Sequence, residues 1–471
     1  MDEVLALTAA REPTLSEVWQ AIWSGTDFSP PTYHFFLHGL INTVGAADSR
    51  LLWRLPSILA IYGAAICTYL FLVRSHLSRL SAVLGFGIVL AFKLFDHAIE
   101  VREYAMLVFG LAAAFLLWSE IEEDGPRYAK AFGLWLVLSA CLCIHFYGII
   151  EVAAIGTAEF VYAIWQKRIR TVVWVALLLT VPVQAALLPL AHHLATFNNG
   201  DNLAPAYYAK PSVHAFFTAT NEVVGGAAFL LAALVVICAA LLAKNRGLHP
   251  TKLQPVRIEL KIVLIALCVL PFTTFAFSAL VTKSFSARYM AAAALIPAIG
   301  FPWLLDWLPW RRTVASALMP LIAIVLVLRA QEPDPIARAL AVAQKAAPLA
   351  PVVVGEAGLY IELMEAADPG TRADLVYLAR PSGAFSPDPT NENELVRIAR
   401  LNPEYRVRSQ AAFLGTHKRF YVLTRLDKSI DTTTPSLLAN GLLKKPVDAG
   451  HGILLYPSVA SAEGPRGGGK R

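Results

Sequence analysis

The sequence has 471 residues, of which 56% are hydrophobic and only 16% are charged, and its mean hydropathy is +0.55. Soluble globular proteins carry about 25% charged residues, so this composition excludes a wholly soluble enzyme, a disordered chain and a disulfide scaffold. The low charge is confined to one region, because 32 of the last 141 residues are charged but only 42 of the first 330. We therefore predict a transmembrane domain over 51–330 and a water-exposed domain over 331–471. Residues 1–50 are predicted to form a loop outside the membrane that carries interfacial helices.

Segment 30–46, within this loop, is apolar but too short to span a bilayer. It begins with the pair Pro30-Pro31, which suits a helix start, and we predict an interfacial helix that lies on the membrane. His34 and His38 are spaced one turn apart on one face of this helix. Two interpretations stay open: a polar face near the lipid headgroups, or a His-x-x-x-His metal pair.

Ten apolar segments approach the length of about 20 residues that a membrane-spanning helix needs. They lie at 52–73, 80–96, 103–119, 131–147, 149–165, 171–190, 224–243, 262–281, 286–305 and 313–329. One set of alternate loops carries 14 basic residues and the other set only five. Basic residues mark cytoplasmic loops, so residues 1–50 and 331–471 are both predicted to lie outside. The net charge of +6 thus reflects membrane orientation, and no nucleic-acid partner is expected.

This orientation places the first 50 residues across the membrane, although they contain neither a signal peptide nor a spanning segment. A segment of this length rarely crosses a membrane unaided. We therefore expect a further spanning helix upstream of Met1.

Ionisable side chains gather at the predicted outer ends of the spans, where they are functional candidates. This position favours an interfacial reaction centre over a path through the membrane. The first such corner contains Lys93, Asp96, His97, Glu100, Arg102, Glu103 and Tyr104. It is either a solvated corner with internal ion pairs or a phosphate site with Arg102 as a bidentate donor.

A second outer corner contains two cations and repeats the pairing of arginine with tyrosine at the start of a span. Its residues are Lys283, Arg288 and Tyr289. They are either snorkelling cations with an interfacial aromatic residue or part of the same anion site.

The C-terminal region alternates short apolar runs with helical patterns, which predicts a small α/β domain. The predicted strands are 351–355, 374–378, 419–423 and 452–456, and the predicted helices are 357–367, 391–400 and 408–414. The predicted fold class is therefore a polytopic α-helical membrane protein with a small C-terminal α/β domain.

Five short motifs follow one another along residues 1–330. They are Met1-Asp2-Glu3, Asp27-Phe-Ser-Pro30-Pro31-Thr-Tyr33, Arg54-Leu-Pro56-Ser57, Glu100-Val-Arg102-Glu103-Tyr104 and Ala287-Arg288-Tyr289. In this order they resemble the GT-C class of polyprenyl-phosphate-sugar-dependent glycosyltransferases. The nearest branch includes the protein O-mannosyltransferases, the lipid A aminoarabinose transferases and the rhizobial core galacturonosyltransferases. The sequence departs from the family at Ser29, where members often carry a histidine.

The resemblance implies a GT-C-like membrane glycosyltransferase that moves a sugar from a polyprenyl-phosphate donor to a lipid, glycan or protein acceptor. It implies a bacterial inner membrane, with the active site and the C-terminal domain on the periplasmic side. Asp2 would be the catalytic base beside Glu3, and a single displacement would invert the anomeric carbon. The implied donor-phosphate ligands are Arg102, Tyr104, Lys283, Arg288 and Tyr289. The candidates for binding the acceptor or a divalent metal are Asp27, His38, His97, Glu100 and Glu103, and no other cofactor is indicated.

Two other classes of protein compete with this hypothesis. A transporter or flippase of lipid-linked sugars would need polar residues near mid-span and usually repeat symmetry or broken helices, and neither is visible. A scaffold whose outer α/β domain binds a partner would leave the charged outer corners unexplained.

Overall fold

The computed structural model describes residues 2–44, 50–91, 101–121, 127–198, 209–245, 255–330, 335–379, 389–426, 431, 433–450 and 452–460. Within these ranges the chain forms a bundle of helices up to residue 330, followed by a domain built on a six-stranded sheet. The predicted fold class is confirmed.

Three short helices precede the bundle: α1 (Asp2–Ala10), α2 (Leu15–Trp23) and α3 (Pro31–Val44). Helix α3 matches the predicted segment 30–46 closely. Helix α2 is capped by Thr14, whose Oγ1 accepts a hydrogen bond from the Glu17 amide at 3.3 Å and donates one to Glu17 Oε2 at 2.8 Å.

The bundle contains twelve further helices among the residues described. They are α4 (Arg50–Arg74), α5 (Arg79–Ala91), α6 (Tyr104–Ser119), α7 (Arg127–Ile144), α8 (Gly148–Gln166), α9 (Thr171–Leu178), α10 (Val181–Asn198), α11 (Val213–Val224), α12 (Gly226–Asn245), α13 (Ile258–Phe277), α14 (Leu295–Leu305) and α15 (Arg311–Ala330). A π-helical turn (Ser278–Thr282) follows α13, and a 3₁₀ helix (Ala287–Ala294) precedes α14.

Within the described ranges, seven segments of this bundle are long and apolar enough to cross a membrane. They are Leu51–Arg74, Arg127–Ile144, Gly148–Gln166, Thr171–Phe197, Ile258–Thr282, Ala287–Leu305 and Arg311–Leu328. Two shorter apolar helices, α5 and α6, occupy two more of the predicted spans, and α12 occupies a tenth. Each of the ten predicted spans therefore coincides with a helix in the described part of the chain.

Small residues allow the bundle helices to pack closely around α6. Helix α4 lies along both α5 and α6. Its residues Ala60, Ala64 and Ala65 are buried, and a Cβ at Gly63 would lie 2.8 Å from the Phe109 ring. Close approach at small residues is typical of membrane helices, where lipid supplies no hydrophobic drive for packing.

The C-terminal domain is a mixed sheet with the strand order β3-β2-β1-β4-β6-β5. The strands are β1 (Val352–Val354), β2 (Leu375–Ala379), β3 (Val407–Ser409), β4 (Tyr421–Arg425), β5 (Val447–Asp448) and β6 (Ile453–Pro457). Strands β1 to β4 run parallel, and β6 runs antiparallel to β4 and β5. The four predicted strands are confirmed, whereas β3 and β5 were missed because they are short and partly exposed.

Helices cover both faces of this sheet, as its parallel, buried strands require. They are α16 (Pro335–Ala346), α17 (Ala357–Ala366), α18 (Pro369–Asp374), α19 (Pro389–Leu401), α20 (Gln410–Thr416) and α21 (Thr433–Ala439). Helix α1 joins them from the other end of the chain, because Val4 and Leu5 lie in the same apolar cluster as Ile453 and Leu455 of β6.

Candidate active site

The turn before α6 carries a buried arginine that pairs with a distant aspartate. Arg102 Nη1 lies 3.0 Å from Asp27 Oδ2 and 3.3 Å from Oδ1. Asp27 also accepts hydrogen bonds from the Phe28 amide at 2.7 Å and from His34 Nε2 at 3.0 Å. Burial acts to raise the pKa of Asp27, but Arg102 and His34 outweigh it and hold the pKa well below its usual range. The aspartate is therefore ionised and holds the guanidinium in place.

Glu103, the next residue, is fully buried beside this pair. Its Oε1 accepts a hydrogen bond from Ser29 Oγ at 2.6 Å and lies 3.6 Å from His145 Nε2. Its Oε2 has no hydrogen-bond partner among the residues that the structure describes. A buried oxygen in this state is costly, so the carboxylate is able to bind a group that enters the cluster.

His145 lies in the turn between α7 and α8. The Tyr147 amide donates a hydrogen bond to His145 Nδ1 at 3.0 Å, which leaves the ring proton on Nε2, the atom that faces Glu103. Burial lowers the pKa of His145 and so favours the neutral ring. Gly148 makes this turn possible, because a Cβ there would lie 2.4 Å from the Cys141 carbonyl oxygen.

Aromatic rings and a second arginine form one wall of the cluster. The rings of Tyr147 and Tyr289 stack with their centroids 4.2 Å apart. The Arg288 guanidinium lies 5.6 Å from the Tyr289 ring centroid and 5.9 Å from that of Tyr104, within the range of cation–π attraction. The Tyr147 hydroxyl is fixed by the π-helical turn, at 2.8 Å from Ser278 Oγ. π-Helical turns are frequent at functional sites.

The Glu3 carboxylate fixes the backbone that leads into α6. Glu3 accepts two hydrogen bonds from Arg54, at 3.1 Å from Nε and 2.9 Å from Nη2. Glu3 Oε1 also accepts a hydrogen bond from the Val101 amide at 2.8 Å. Ser57 Oγ donates to the Arg102 carbonyl at 3.0 Å, so α1 and α4 together fix the backbone that carries the buried arginine.

All five sequence motifs thus contribute to one location in the fold. The residues that they contribute are Glu3, Asp27, Ser29, Tyr33, Arg54, Ser57, Arg102, Glu103, Tyr104, Arg288 and Tyr289. This location lies at the end of the bundle opposite a group of basic side chains, which includes Arg74, Lys130, Arg170 and Arg257. These four basic residues belong to loops that the sequence predicted on one side of the membrane, and the structure brings them to one end of the bundle.

Two predicted site residues are placed apart from this cluster. Lys283 is exposed, has a positive φ of 56°, and donates a hydrogen bond from Nζ to the Ala279 carbonyl at 2.8 Å. His38 is held by the Ala10 carbonyl at 3.0 Å and by Asn42 Nδ2 at 2.9 Å. Other predictions lie outside the described residues: the side chain of Asp2, and Lys93, Asp96, His97 and Glu100.

The expectation that His34 and His38 face the lipid headgroups is wrong. Both side chains are buried against the protein, since Tyr33, Leu37 and the two histidines all face inward from α3. The two rings also bind different partners, Asp27 for one and the Ala10 carbonyl for the other. Across the part of the chain that the structure describes, no group of three or more histidine, cysteine or acidic residues is arranged to hold a metal ion.

Several members of the cluster were not among the predicted site residues. Arg54 and Ser57 were named only as part of a motif, and His145 and Tyr147 lie at the end of the predicted span 131–147. Their position could have identified them, because all four lie at the same end of the bundle as Arg102. Their contacts with Glu3, Arg102 and Glu103 depend on the tertiary fold.

This fold is shared with proteins of known structure. Two crystal structures of ArnT from Cupriavidus metallidurans share it, one in the apo state and one bound to undecaprenyl phosphate, with TM-scores of 0.55 and 0.54. Each match has 14% sequence identity and covers 99% of this chain and 95% of the ArnT chain. No family model and no curated protein matches the sequence. At this identity the likeness establishes the fold.

Proposed function

We propose that this protein is a membrane glycosyltransferase that moves a sugar from a polyprenyl-phosphate donor to an acceptor outside the membrane. The observation that carries the proposal is the convergence of five separate motifs on one buried cluster at an end of the bundle. A protein with the same fold binds undecaprenyl phosphate, which has the phosphate and the long apolar chain of such a donor. The basic residues at the opposite end support a periplasmic position for the cluster in a bacterial inner membrane.

The donor phosphate would lie against Arg102 and Arg288. Asp27 holds the Arg102 guanidinium at 3.0 Å, and the rings of Tyr104 and Tyr289 lie beside Arg288. Fixed cations that need no reorganisation are efficient at stabilising charge that develops in a transition state. The charge here grows on the departing polyprenyl phosphate as its bond to the anomeric carbon breaks.

The acceptor hydroxyl would attack the anomeric carbon from the face opposite the phosphate and lose its proton to a carboxylate. The family resemblance assigns this base to Asp2, and its neighbour Glu3 is anchored by Arg54 and the Val101 amide. The proton moves to the base, the new carbon–oxygen bond forms, and the polyprenyl phosphate leaves with the electron pair. A single displacement of this kind inverts the anomeric carbon.

Glu103 and His145 supply polar groups inside the same cluster. The free Oε2 of Glu103 is suited to accept a hydrogen bond from a sugar hydroxyl. His145 Nε2 lies 3.6 Å from Glu103 Oε1 and so places a second polar group beside the carboxylate. These contacts would help to select the transferred sugar.

The test is transfer by the purified full chain in phospholipid vesicles supplied with radiolabelled polyprenyl-phosphate sugars and with lipid, glycan or peptide acceptors. We expect transfer from at least one donor, and its loss together with loss of donor binding in the Arg102→Ala, Arg288→Ala double variant. Arg312→Ala, an exposed arginine at the opposite end of the bundle, is the matched control. Donor binding that survives the double substitution would contradict the phosphate assignment.

A separate readout distinguishes the alternative activity. The same vesicles report movement of labelled polyprenyl-phosphate sugar between leaflets without any acceptor. Movement without transfer to any acceptor would favour a flippase over a transferase.

A further inference from the structure

The loop that carries Asp27 begins with a fixed turn at the end of α2. The Gly25 amide donates to the Ile22 carbonyl at 2.8 Å. The Thr26 amide donates to the Ala21 carbonyl at 3.2 Å. Together with the φ of 80° at Gly25, these bonds define a Schellman motif, in which glycine takes the left-handed conformation. The motif uses the amides of Gly25 and Thr26, and the Gly25 carbonyl accepts its hydrogen bond from a different domain.

Arg397 of α19, in the C-terminal domain, donates this hydrogen bond. The distance from its Nη1 to the Gly25 carbonyl oxygen is 2.8 Å. Its guanidinium also lies 4.7 Å from the ring centroid of Phe197 and 5.8 Å from that of Phe28, within the range of cation–π attraction. Phe197 is the last residue of the spanning segment that begins at Thr171. One side chain therefore links the C-terminal domain to the bundle and to the loop.

Little space is left around this contact. A Cβ at Gly25 would lie 3.0 Å from Arg397 Nη1 and 3.1 Å from the Phe197 ring. The loop backbone, the end of a spanning segment and the guanidinium therefore pack together at one point. Because close-packed groups transmit strain to their neighbours, a change at Arg397 should displace the loop.

Phe28 connects this contact to the candidate site. Its ring faces the Arg397 guanidinium, and its amide donates to Asp27 Oδ1 at 2.7 Å. Asp27 Oδ2 in turn accepts a hydrogen bond from Arg102 Nη1 at 3.0 Å. A continuous series of contacts thus runs from the C-terminal domain to the guanidinium that would bind the donor phosphate.

We propose that Arg397 is a positioning residue for sugar transfer, because it holds the Gly25 carbonyl and the Phe28 ring and thereby fixes Asp27 and Arg102. This role rests on the proposed function, and it makes the C-terminal domain part of the catalytic unit. The alternative is a local role, since a cation near the C-terminus of a helix is stabilising in itself. The contact with Phe28, which lies beyond α2 and beside Asp27, favours positioning.

Arg397→Met tests the proposal, because it removes the charge and the hydrogen bond but keeps an apolar stem. We expect kcat for transfer from radiolabelled polyprenyl-phosphate sugars in vesicles to fall by about 10–10²-fold, since small misplacements of a catalytic group cost factors of this size. Arg397→Lys keeps a cation and a donor and should recover most of this loss. A higher KM for the acceptor at an unchanged kcat would overturn the proposal.

Glu365→Gln is the matched control. Glu365 binds Arg11 at 2.9 Å and so also joins the C-terminal domain to the first 50 residues, but its partner lies before α2 and outside the Asp27 loop. Because this pair is partly exposed, its loss should leave kcat nearly unchanged. Equal losses of kcat in Arg397→Met and Glu365→Gln would show that Arg397 only docks the domain, and would overturn the proposal.

A second measurement needs no substrate. Hydrogen exchange at the amides of Gly25, Thr26 and Phe28, read by mass spectrometry of the purified full chain, should be faster in Arg397→Met and unchanged in Glu365→Gln. Unchanged exchange in Arg397→Met would overturn the positioning role even if transfer falls. Faster exchange in Arg397→Met, with no transfer by the unmodified chain, would support the positioning of Asp27 and contradict the proposed function instead.

Discussion

Two buried arginine–carboxylate pairs lie at opposite ends of α6, and they are built differently. At the C-terminal end, Arg170 binds Glu159 and donates to the carbonyls of Trp118 and Ile121 at 3.2 and 3.1 Å. Its guanidinium also lies 4.6 and 3.9 Å from the ring centroids of Trp118 and Tyr162. The Trp118 indole donates to Glu159 at 2.9 Å. Both charges of this pair are thus surrounded by partners that belong to the protein itself.

At the N-terminal end, the Arg102–Asp27 pair has neighbours with unused hydrogen-bonding capacity. Glu103 Oε2 and His34 Nδ1 are buried and have no partner within the described ranges. Buried polar atoms are normally satisfied, and exceptions cluster where a ligand completes the site. The comparison shows that a buried ion pair alone is no sign of function. The unsatisfied atoms beside it are the distinguishing feature.

We expect the largest effect on stability from breaking the Arg170–Glu159 pair, whose two charges are surrounded by partners within the protein. Arg170→Ala leaves the Glu159 carboxylate buried and unpaired, and this should cost about 3–5 kcal/mol of folding free energy. The measurement is the unfolding midpoint of the purified chain in detergent. The double variant Arg170→Met, Glu159→Leu should recover much of this loss and retain transfer activity. A double variant that is stable but inactive would show that this pair also has a functional role.

A loss of activity without a loss of stability is expected at the other end. Arg288→Ala removes a half-buried cation beside Tyr104 and Tyr289, so transfer should fall by about 10²–10³-fold. The unfolding midpoint should stay close to that of the unmodified chain, because the guanidinium is only half-buried and is therefore already partly hydrated. Initial transfer rates in vesicles, with Arg312→Ala as the control, provide the measurement.

The pH dependence of stability should also reflect the cluster. The pKa of His145 is lowered in the folded protein, so below about pH 6.5 the unfolded chain binds a proton that the folded chain does not. Stability should therefore decrease as the pH falls below this value, until the folded-state pKa of His145 is reached. Asp27 affects stability only at lower pH. Its folded-state pKa lies below the usual range, so the stability that it contributes is lost only as the pH falls through that value. Unfolding midpoints between pH 8 and 5 should depend less on pH in His145→Asn, and an unchanged slope would exclude His145 as the cause.

The smallest effect is expected from an exposed ion pair. Arg11 of the loop after α1 binds Glu365 of α17 at 2.9 Å, and both side chains are partly exposed. Exposed pairs contribute about 0–1 kcal/mol, so Arg11→Ala should change the unfolding midpoint only slightly. Arg11 also lies 4.8 Å from the Trp53 ring centroid. A large loss in Arg11→Ala that Glu365→Ala does not reproduce would therefore point to this ring contact.

The sequence was most informative where a pattern is local. Apolar runs and the uneven basic loops predicted the helices of the bundle, and apolar runs identified the four longer strands. Motif order predicted Arg102, Arg288 and Asp27 as candidate site residues. Their pairing was not predictable, because Asp27 and Arg102 are 75 positions apart and meet only when the turn before α3 packs against the turn before α6. Lys283 was also predicted as a site residue, but it lies apart from the cluster. Its backbone takes a left-handed conformation, and its ammonium caps its own helix.

The seating of α1 in the C-terminal domain has a consequence for biosynthesis. Val4 and Leu5 belong to the same apolar cluster as Ile453 and Leu455 of the last strand, and α1 lies against α17 of that domain. The same helix also packs on α3, which is synthesised early. Its contacts with α3 can therefore form while the spanning helices insert, whereas its contacts with the C-terminal domain wait until that domain has folded. A ribosome-released chain that lacks β6 would then be embedded in the membrane with α1 held on one side only.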